Sequence, residues 1–199
     1  MSKAGEVRII GGSLKRSKLK VPDRPGLRPT PDRVRETLFN WLQWRLPGMR
    51  ALDLYAGTGV LGLEALSRGA AFVHFNERDG DLARAIEAEL QRFQLRAQAG
   101  LSQLPALALL AQPCPLPFDL VFLDPPYASG EWLPALRALA IGGWLRPQAL
   151  VYFEHPRGSS LELPPGYALS REAQAGQIRY GLCQYGAADS EQTAAPAAE

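Results

Sequence analysis

From Arg50 onward the chain alternates between short apolar runs and longer amphipathic segments, and this alternation limits the fold more than any other feature. "ALDLYAG" is a short strand, and "VLGLEALSRGA" reads as a helix with Gly69 near its end. "AFVHFNE" makes a second strand, and "GDLARAIEAELQRFQL" a longer helix. "RAQAG" is a weak third strand, with a helix over Leu101 to Ala111. "FDLVFLD" is the clearest strand, followed by a helix around Trp132 to Ala140 and the strand "ALVYFEH". "YALSREAQ" and "IRYGLCQYG" read as a hairpin turning near Ala175 and Gly176. Strands separated by helices form a parallel sheet covered on both faces. The fold class is therefore α/β, with the terminal hairpin adding an antiparallel edge.

Ahead of this core, "VRIIGGSLKRSKLKVP" reads as two short strands joined by a Gly-Gly turn. Thr30 as N-cap and Pro31 at the first helical position open a helix through "DRVRETLFNWLQWRL", with Val34, Leu38, Trp41 and Leu42 as its apolar face. Pro47-Gly48 ends it. The expected organisation is a basic arm and helix over 1–48, a core over 49–186 and a disordered tail over 187–199. Charge follows the same division. Residues 1–50 carry twelve Lys/Arg against four Asp/Glu, and residues 51–199 carry ten against sixteen. A basic arm on an acidic body suits a polyanion, and Arg8, Lys15, Arg16, Lys18, Lys20, Arg28 and Arg33 are the candidate nucleic-acid contacts.

Several classes are disfavoured. No apolar stretch approaches the roughly 20 residues that span a bilayer, and "MSKAGEVRII" lacks the apolar core of a secretion signal. Cys114 and Cys183 are isolated, and His74 and His155 are the only histidines, so no metal site is expected. The expectation is a cytoplasmic monomer.

"DLYAGTGVLG" places Gly57, Gly59 and Gly62 in a G-x-G-x-x-G between a strand and a helix. Glycine permits the turn and a close ligand approach, and the helix N-terminus adds unpaired N–H donors. Asp53 can brace the loop or accept from a ligand's ammonium group. Glu77 closes the second strand, where a carboxylate can hold ribose hydroxyls. This order fits NAD, a flavin nucleotide or S-adenosylmethionine, with Asp53, Tyr55, Ala56, Gly57, Thr58, Gly59, Glu77 and Arg78 as candidate contacts.

The "DPPY" loop, Asp124, Pro125, Pro126 and Tyr127, separates these choices. Ligands of an open α/β sheet lie beyond the carboxyl ends of its strands, so the loop faces the cofactor. The exocyclic amine of a nucleobase is a poor nucleophile because its lone pair is delocalised. It improves when both N–H bonds point at fixed acceptors, and the Asp124 carboxylate and the Pro125 carbonyl can supply them. Tyr127 can stack on the base. On this reading Asp124 orients the amine without acting as a strong base, and methyl transfer from a sulfonium needs no metal.

With these residues in view, the chain resembles the bacterial methyltransferases that modify a guanine N2 amino group in 16S ribosomal RNA (RsmD-type). The likeness runs from Val7 to about Tyr185 and rests on "RIIGGSLKRSKLKVP", "LRPTPDRVRETLFNWL", "ALDLYAGTGVLGLEALSRGA", "FDLVFLDPPY", "VYFEH" and "AGQIRYGL". It implies a Rossmann-like class I methyltransferase fold, a seven-stranded, mostly parallel sheet with the last strand antiparallel. It also implies S-adenosylmethionine as donor and 16S rRNA, in a small ribosomal subunit or assembly particle, as substrate. It places Arg33, Glu36 and Asn40 near the active site, Asn40 as a cofactor contact. Relatives carry Asp or Asn after the third strand to meet adenine. Here Ala99 and Gly100 stand there, leaving that contact to backbone or Gln98. Glu154 and His155 end a strand and read as structural. Two alternatives stay open: an N6-adenine or N4-cytosine methyltransferase on RNA or DNA, and a non-catalytic ribosome-assembly protein with a relict pocket.

Overall fold

The core is a seven-stranded sheet in the order β5-β4-β3-β6-β7-β9-β8. The structure, a computed structural model, describes residues 5–22, 24, 30–126, 129–158 and 162–186. Strands β3 (Arg50–Asp53), β4 (Phe72–Asn76), β5 (Ala99–Ser102), β6 (Phe118–Leu123) and β7 (Leu145–Pro156) run parallel. The last strand, β9 (Ile178–Tyr185), lies antiparallel between β7 and β8 (Tyr167–Ala175). The sheet is thus the expected one.

Strand alternation sorts the core into two layers. Ala51, Leu120, Phe122, Leu150 and Tyr152 face helices α1 (Asp32–Leu42), α2 (Val60–Ser67) and α3 (Gly80–Arg92). Leu52, Leu54, Val121, Leu123, Val151 and Phe153 face α4 (Ala106–Leu110) and α5 (Trp132–Ile141). Helix α3 buries Leu82, Ala83, Ile86 and Leu90 along one stripe, and Asp79 caps it by accepting from the Asp81 and Leu82 amides at 2.8 and 3.2 Å. Every residue of α2 is buried, because the N-terminal segment covers its outer side.

That segment departs from the expected hairpin. Strands β1 (Gly5–Arg8) and β2 (Lys18–Val21) do pair antiparallel, but the connection is a loop over 9–17 rather than a tight Gly-Gly turn. The loop docks on α2. Ile10 and Gly11 each donate to the Glu64 carboxylate at 2.8 Å, and Ser13 N donates to Ser67 O at 2.8 Å. Glu64 is fully buried and meets buried Arg35 of α1 at 3.4 Å and Arg68 at 2.7 Å. Arg35 also donates to Arg8 O at 2.9 Å, so the arm, α1 and α2 are fastened through one buried ion-pair network.

Three further expectations are corrected. Pro31, not Thr30, is the N-cap of α1, and Thr30 is buried against Glu154 instead. Helix α1 ends at Leu42, before Pro47-Gly48. "RAQ" forms a 3-10 turn, so β5 begins only at Ala99 and displaces the start of the helix expected at Leu101 to Ala106.

Candidate active site

The chain leaves β3 toward β4 on one side and later lays β6 on the other, so the strand order reverses at β3. A cleft of about 1160 Å³ opens there, at the carboxyl ends of the strands. Its wall includes Asp53, Tyr55, Ala56, Gly57, Thr58, Glu77, Arg78, Asp124, Pro125 and Pro126, all expected from the sequence.

The glycine loop is held by its neighbours. Leu54 N donates to Phe122 O at 3.1 Å and Ala56 N to Asn76 O at 3.0 Å, fixing the loop's entry between β6 and β4. Gly57 N donates to Glu77 Oε2 at 2.7 Å, and Asp79 N to Glu77 Oε1 at 2.8 Å. Gly59 takes φ +72° as the N-cap of α2, a left-handed conformation that disfavours other residues. Gly62 serves close packing, since a Cβ there would lie 2.2 Å from Phe75 Cε1. Its amide donates to Asp53 Oδ2 at 3.0 Å. Tyr55 Oη donates to Glu131 Oε2 at 2.9 Å, tying the loop to the segment after the prolines.

Three carboxylates lie at or near the carboxyl ends of neighbouring strands on one face. Asp53 shares the face of Ala51, while Asp124 and Glu154 follow Phe122 and Tyr152 at the strand repeat of two. Burial, together with the charge of Glu77, raises Asp53 to about 7 against the pull of the Gly62 amide. Burial holds Asp124 well above the usual carboxylate range, and Glu154 and Asp53 add to this. Asp124 keeps some surface open to the cleft even though protein atoms surround most of it. Burial also raises Glu154, opposed by hydrogen bonds from Tyr152 and Thr30. Among the described residues no lysine or arginine offsets these three acids at close range.

Other expected residues lie elsewhere. Arg33, Glu36 and Asn40 are exposed on α1 and are not brought into the cleft wall. Arg8, Lys15, Arg16, Lys18 and Lys20 are exposed on the docked arm, Lys18 meeting Glu6 at 2.8 Å. Arg28 and Tyr127 lie outside the described residues, as does the tail over 187–199. Ala99, Gly100 and Gln98 stand at the start of β5, away from its carboxyl end; Leu104, Pro105 and Ala106 line the cleft instead. The sequence reading missed Arg24, Thr30, Asn76, Glu131 and Glu154 in the wall. For Asn76 and Glu154, the available signal was a polar side chain at the end of an apolar strand. Asn76 Nδ2 donates to Leu54 O and Leu104 O, both at 3.1 Å, while its buried Oδ1 has no hydrogen-bond partner among the described residues.

A doubly wound sheet with a glycine loop facing a Asp-Pro-Pro strand end defines a class I methyltransferase fold. Comparison with known proteins agrees. The Escherichia coli K12 protein named Ribosomal RNA small subunit methyltransferase D is 43% identical over 187 residues, covering 92% of each chain. The Haemophilus influenzae protein of that name is 42% identical over 182 residues, 90% of this chain and 94% of that one. A solved E. coli structure, the proposed methyltransferase yhhF, superposes with a TM-score of 0.84 at 39% identity, covering 91% of this chain and 98% of that one. A family model described as Conserved hypothetical protein 95 matches residues 7–184. The chain belongs to this family, that of ribosomal RNA small subunit methyltransferase D.

Proposed function

We propose that the protein methylates the exocyclic N2 amino group of a guanine in small-subunit (16S) ribosomal RNA, using S-adenosylmethionine. The observation that carries this reading is Asp124-Pro125-Pro126 at the end of β6, in the same cleft wall as the glycine loop. The names of the relatives support the RNA class, and the resemblance to guanine-N2 enzymes supports the atom.

The residues present suit the cofactor. Buried Asp53, without a counter-ion among the described residues, favours a cationic ligand, and Asn76 Oδ1, without a hydrogen-bond partner among them, offers an acceptor at the same wall. Asp53, the amides of the 57–59 loop and Glu77 would hold the molecule. A carboxylate has about four lone-pair sites, so Glu77 can accept from ribose hydroxyls while bracing the loop. Bound there, S-adenosylmethionine would supply an electrophilic methyl group, its S–CH3 bond breaking to leave the neutral thioether S-adenosylhomocysteine.

The rest is the chain's own work. The Asp124 carboxylate and Pro125 carbonyl accept the two amino hydrogens and fix the nitrogen lone pair on a line of attack. As the nitrogen bonds to carbon it becomes positive, and acceptors already in place stabilise that charge. The nitrogen then releases one proton to Asp124. Burial raises the proton affinity of Asp124, so it takes this proton once the positive charge of the bound donor has favoured its ionised form. The exposed cations of the docked arm would hold phosphates, and Arg24, Thr30 and Pro31 carry the chain from the arm into the cleft wall.

The test is a labelled-methyl assay on undermethylated small ribosomal subunits, naked rRNA and duplex DNA, with the modified nucleoside identified. N2-methylguanosine in ribosomal RNA is the expected product; methylated adenine or cytosine would refute the assignment. Asp124→Ala is expected to lower transfer at least about a thousandfold while cofactor affinity stays within about threefold. Near-normal turnover in that variant would remove Asp124 from the mechanism.

A further inference from the structure

Glu154 has no role in the steps above, yet it stands beside Asp124 in the cleft wall. Its position follows from register. Leu123 pairs with Phe153, so Asp124, just past the end of β6, lies beside Glu154, still within β7, with backbones about 5 Å apart. Both side chains continue the face of Phe122 and Tyr152, and only 7% of Glu154 is exposed. Tyr152 Oη donates to Glu154 Oε1 at 2.8 Å, and the Thr30 side chain also hydrogen-bonds the carboxylate. Burial and the neighbouring Glu154 charge keep Tyr152 protonated, so it remains a donor. Burial raises Glu154, and these bonds oppose that shift, orienting the carboxylate and supporting its ionised form. Its remaining lone pairs are available to a ligand.

Guanine is the base that suits a second acceptor beside Asp124. Its N1–H lies next to the amino group, so that edge presents adjacent donors. In adenine and cytosine the ring nitrogen beside the amino group is an acceptor, and would meet a carboxylate lone pair to lone pair. We infer that Glu154 reads the base by accepting guanine N1–H while Asp124 and the Pro125 carbonyl hold the amino hydrogens. The inference rests on the guanine-N2 reading and adds the residue that selects guanine. It turns a residue that looked structural into a specificity determinant.

The experiment compares RNA carrying guanosine or 2-aminopurine at the methylated nucleotide, once wild-type product has been mapped. 2-Aminopurine keeps the amino group and lacks N1–H. Wild-type kcat/KM is expected to favour guanosine by about 100-fold. Glu154→Ala should lose about 30-fold or more on guanosine and lose nothing on 2-aminopurine, whose N1 lone pair it no longer opposes, so that discrimination collapses. Cofactor affinity within about threefold of wild type shows that the variant is folded. Tyr152→Phe provides a second variant. It removes a donor to ionised Glu154, so the acid limb of kcat/KM should move to higher pH with guanosine and stay in place with 2-aminopurine. Preserved discrimination in Glu154→Ala, or an unmoved acid limb in Tyr152→Phe, overturns the inference while N2-methylguanosine formation stands. If wild type methylates adenine or cytosine, the functional reading fails and the role of Glu154 fails with it.

Discussion

Replacing Glu64 by alanine tests whether the arm is part of the folded body. Glu64 is fully buried, accepts from the Ile10 and Gly11 amides, and faces the fully buried Arg35 guanidinium at 3.4 Å. Breaking a buried ion pair by removing one partner costs about 3–5 kcal/mol, because the remaining charge is stranded. Here the lower end applies. Arg35 keeps Asp32 at 2.6 Å and the carbonyls of Thr30 and Arg8, and the partly exposed amides can reach water. At about 2–4 °C per kcal/mol for a chain of this size, the midpoint should fall by about 6–12 °C. The control is Asp32→Ala, which removes the other carboxylate on the same guanidinium. Asp32 is 69% exposed, so that loss should stay near 0.5 kcal/mol, under about 2 °C. Thermal unfolding followed by circular dichroism measures both. Equal shifts in the two variants would show that the buried Glu64 pair does not fasten the arm.

Cofactor binding should depend on pH through Asp53. Its folded-state value near 7 means that the charge suited to a cationic ligand is present above pH 7 and lost below it. Affinity measured by calorimetry should fall about tenfold per pH unit between 7 and 5, and level off above 8. Asp53→Asn should bind weakly with no such slope, and a flat wild-type profile would contradict the assignment. Neutralising Lys15, Arg16 and Lys20 together should flatten the dependence of log K on log salt for small-subunit binding by about 2–3, with the affinity for S-adenosylmethionine unchanged. An unaltered slope would place the RNA surface elsewhere. Gly62→Ala drives a methyl group into the buried Phe75 ring, where the added Cβ would lie 2.2 Å from Cε1. It should lower stability by about 1–3 kcal/mol in urea unfolding, and a neutral result would mean that α2 can slide on the sheet.

The sheet and both halves of the cleft were legible because their signals are local. Two glycines with unusual dihedrals and two prolines after an apolar run act within a few residues, and the alternation of runs supplied the strands between them. The docking of the 9–17 loop and the place of Glu154 were not legible, because each depends on contacts far along the chain. Ile10 meets Glu64 across 54 positions, and the Asp124–Glu154 adjacency depends on a β6–β7 register that shifts between Phe118 and Leu120. The sequence did carry one undeveloped sign, an acid inside or ending an apolar run. Asp53, Glu64, Asp124 and Glu154 all answer to it. A buried acid is costly unless something offsets its charge, and the fold divides the four by that criterion. Glu64 has Arg35 and Arg68, and fastens the arm. The other three have no such cation among the described residues and line one cleft. Their uncompensated charge is what a cationic donor and the hydrogens of a nucleobase would complete, which is why the three belong to one site.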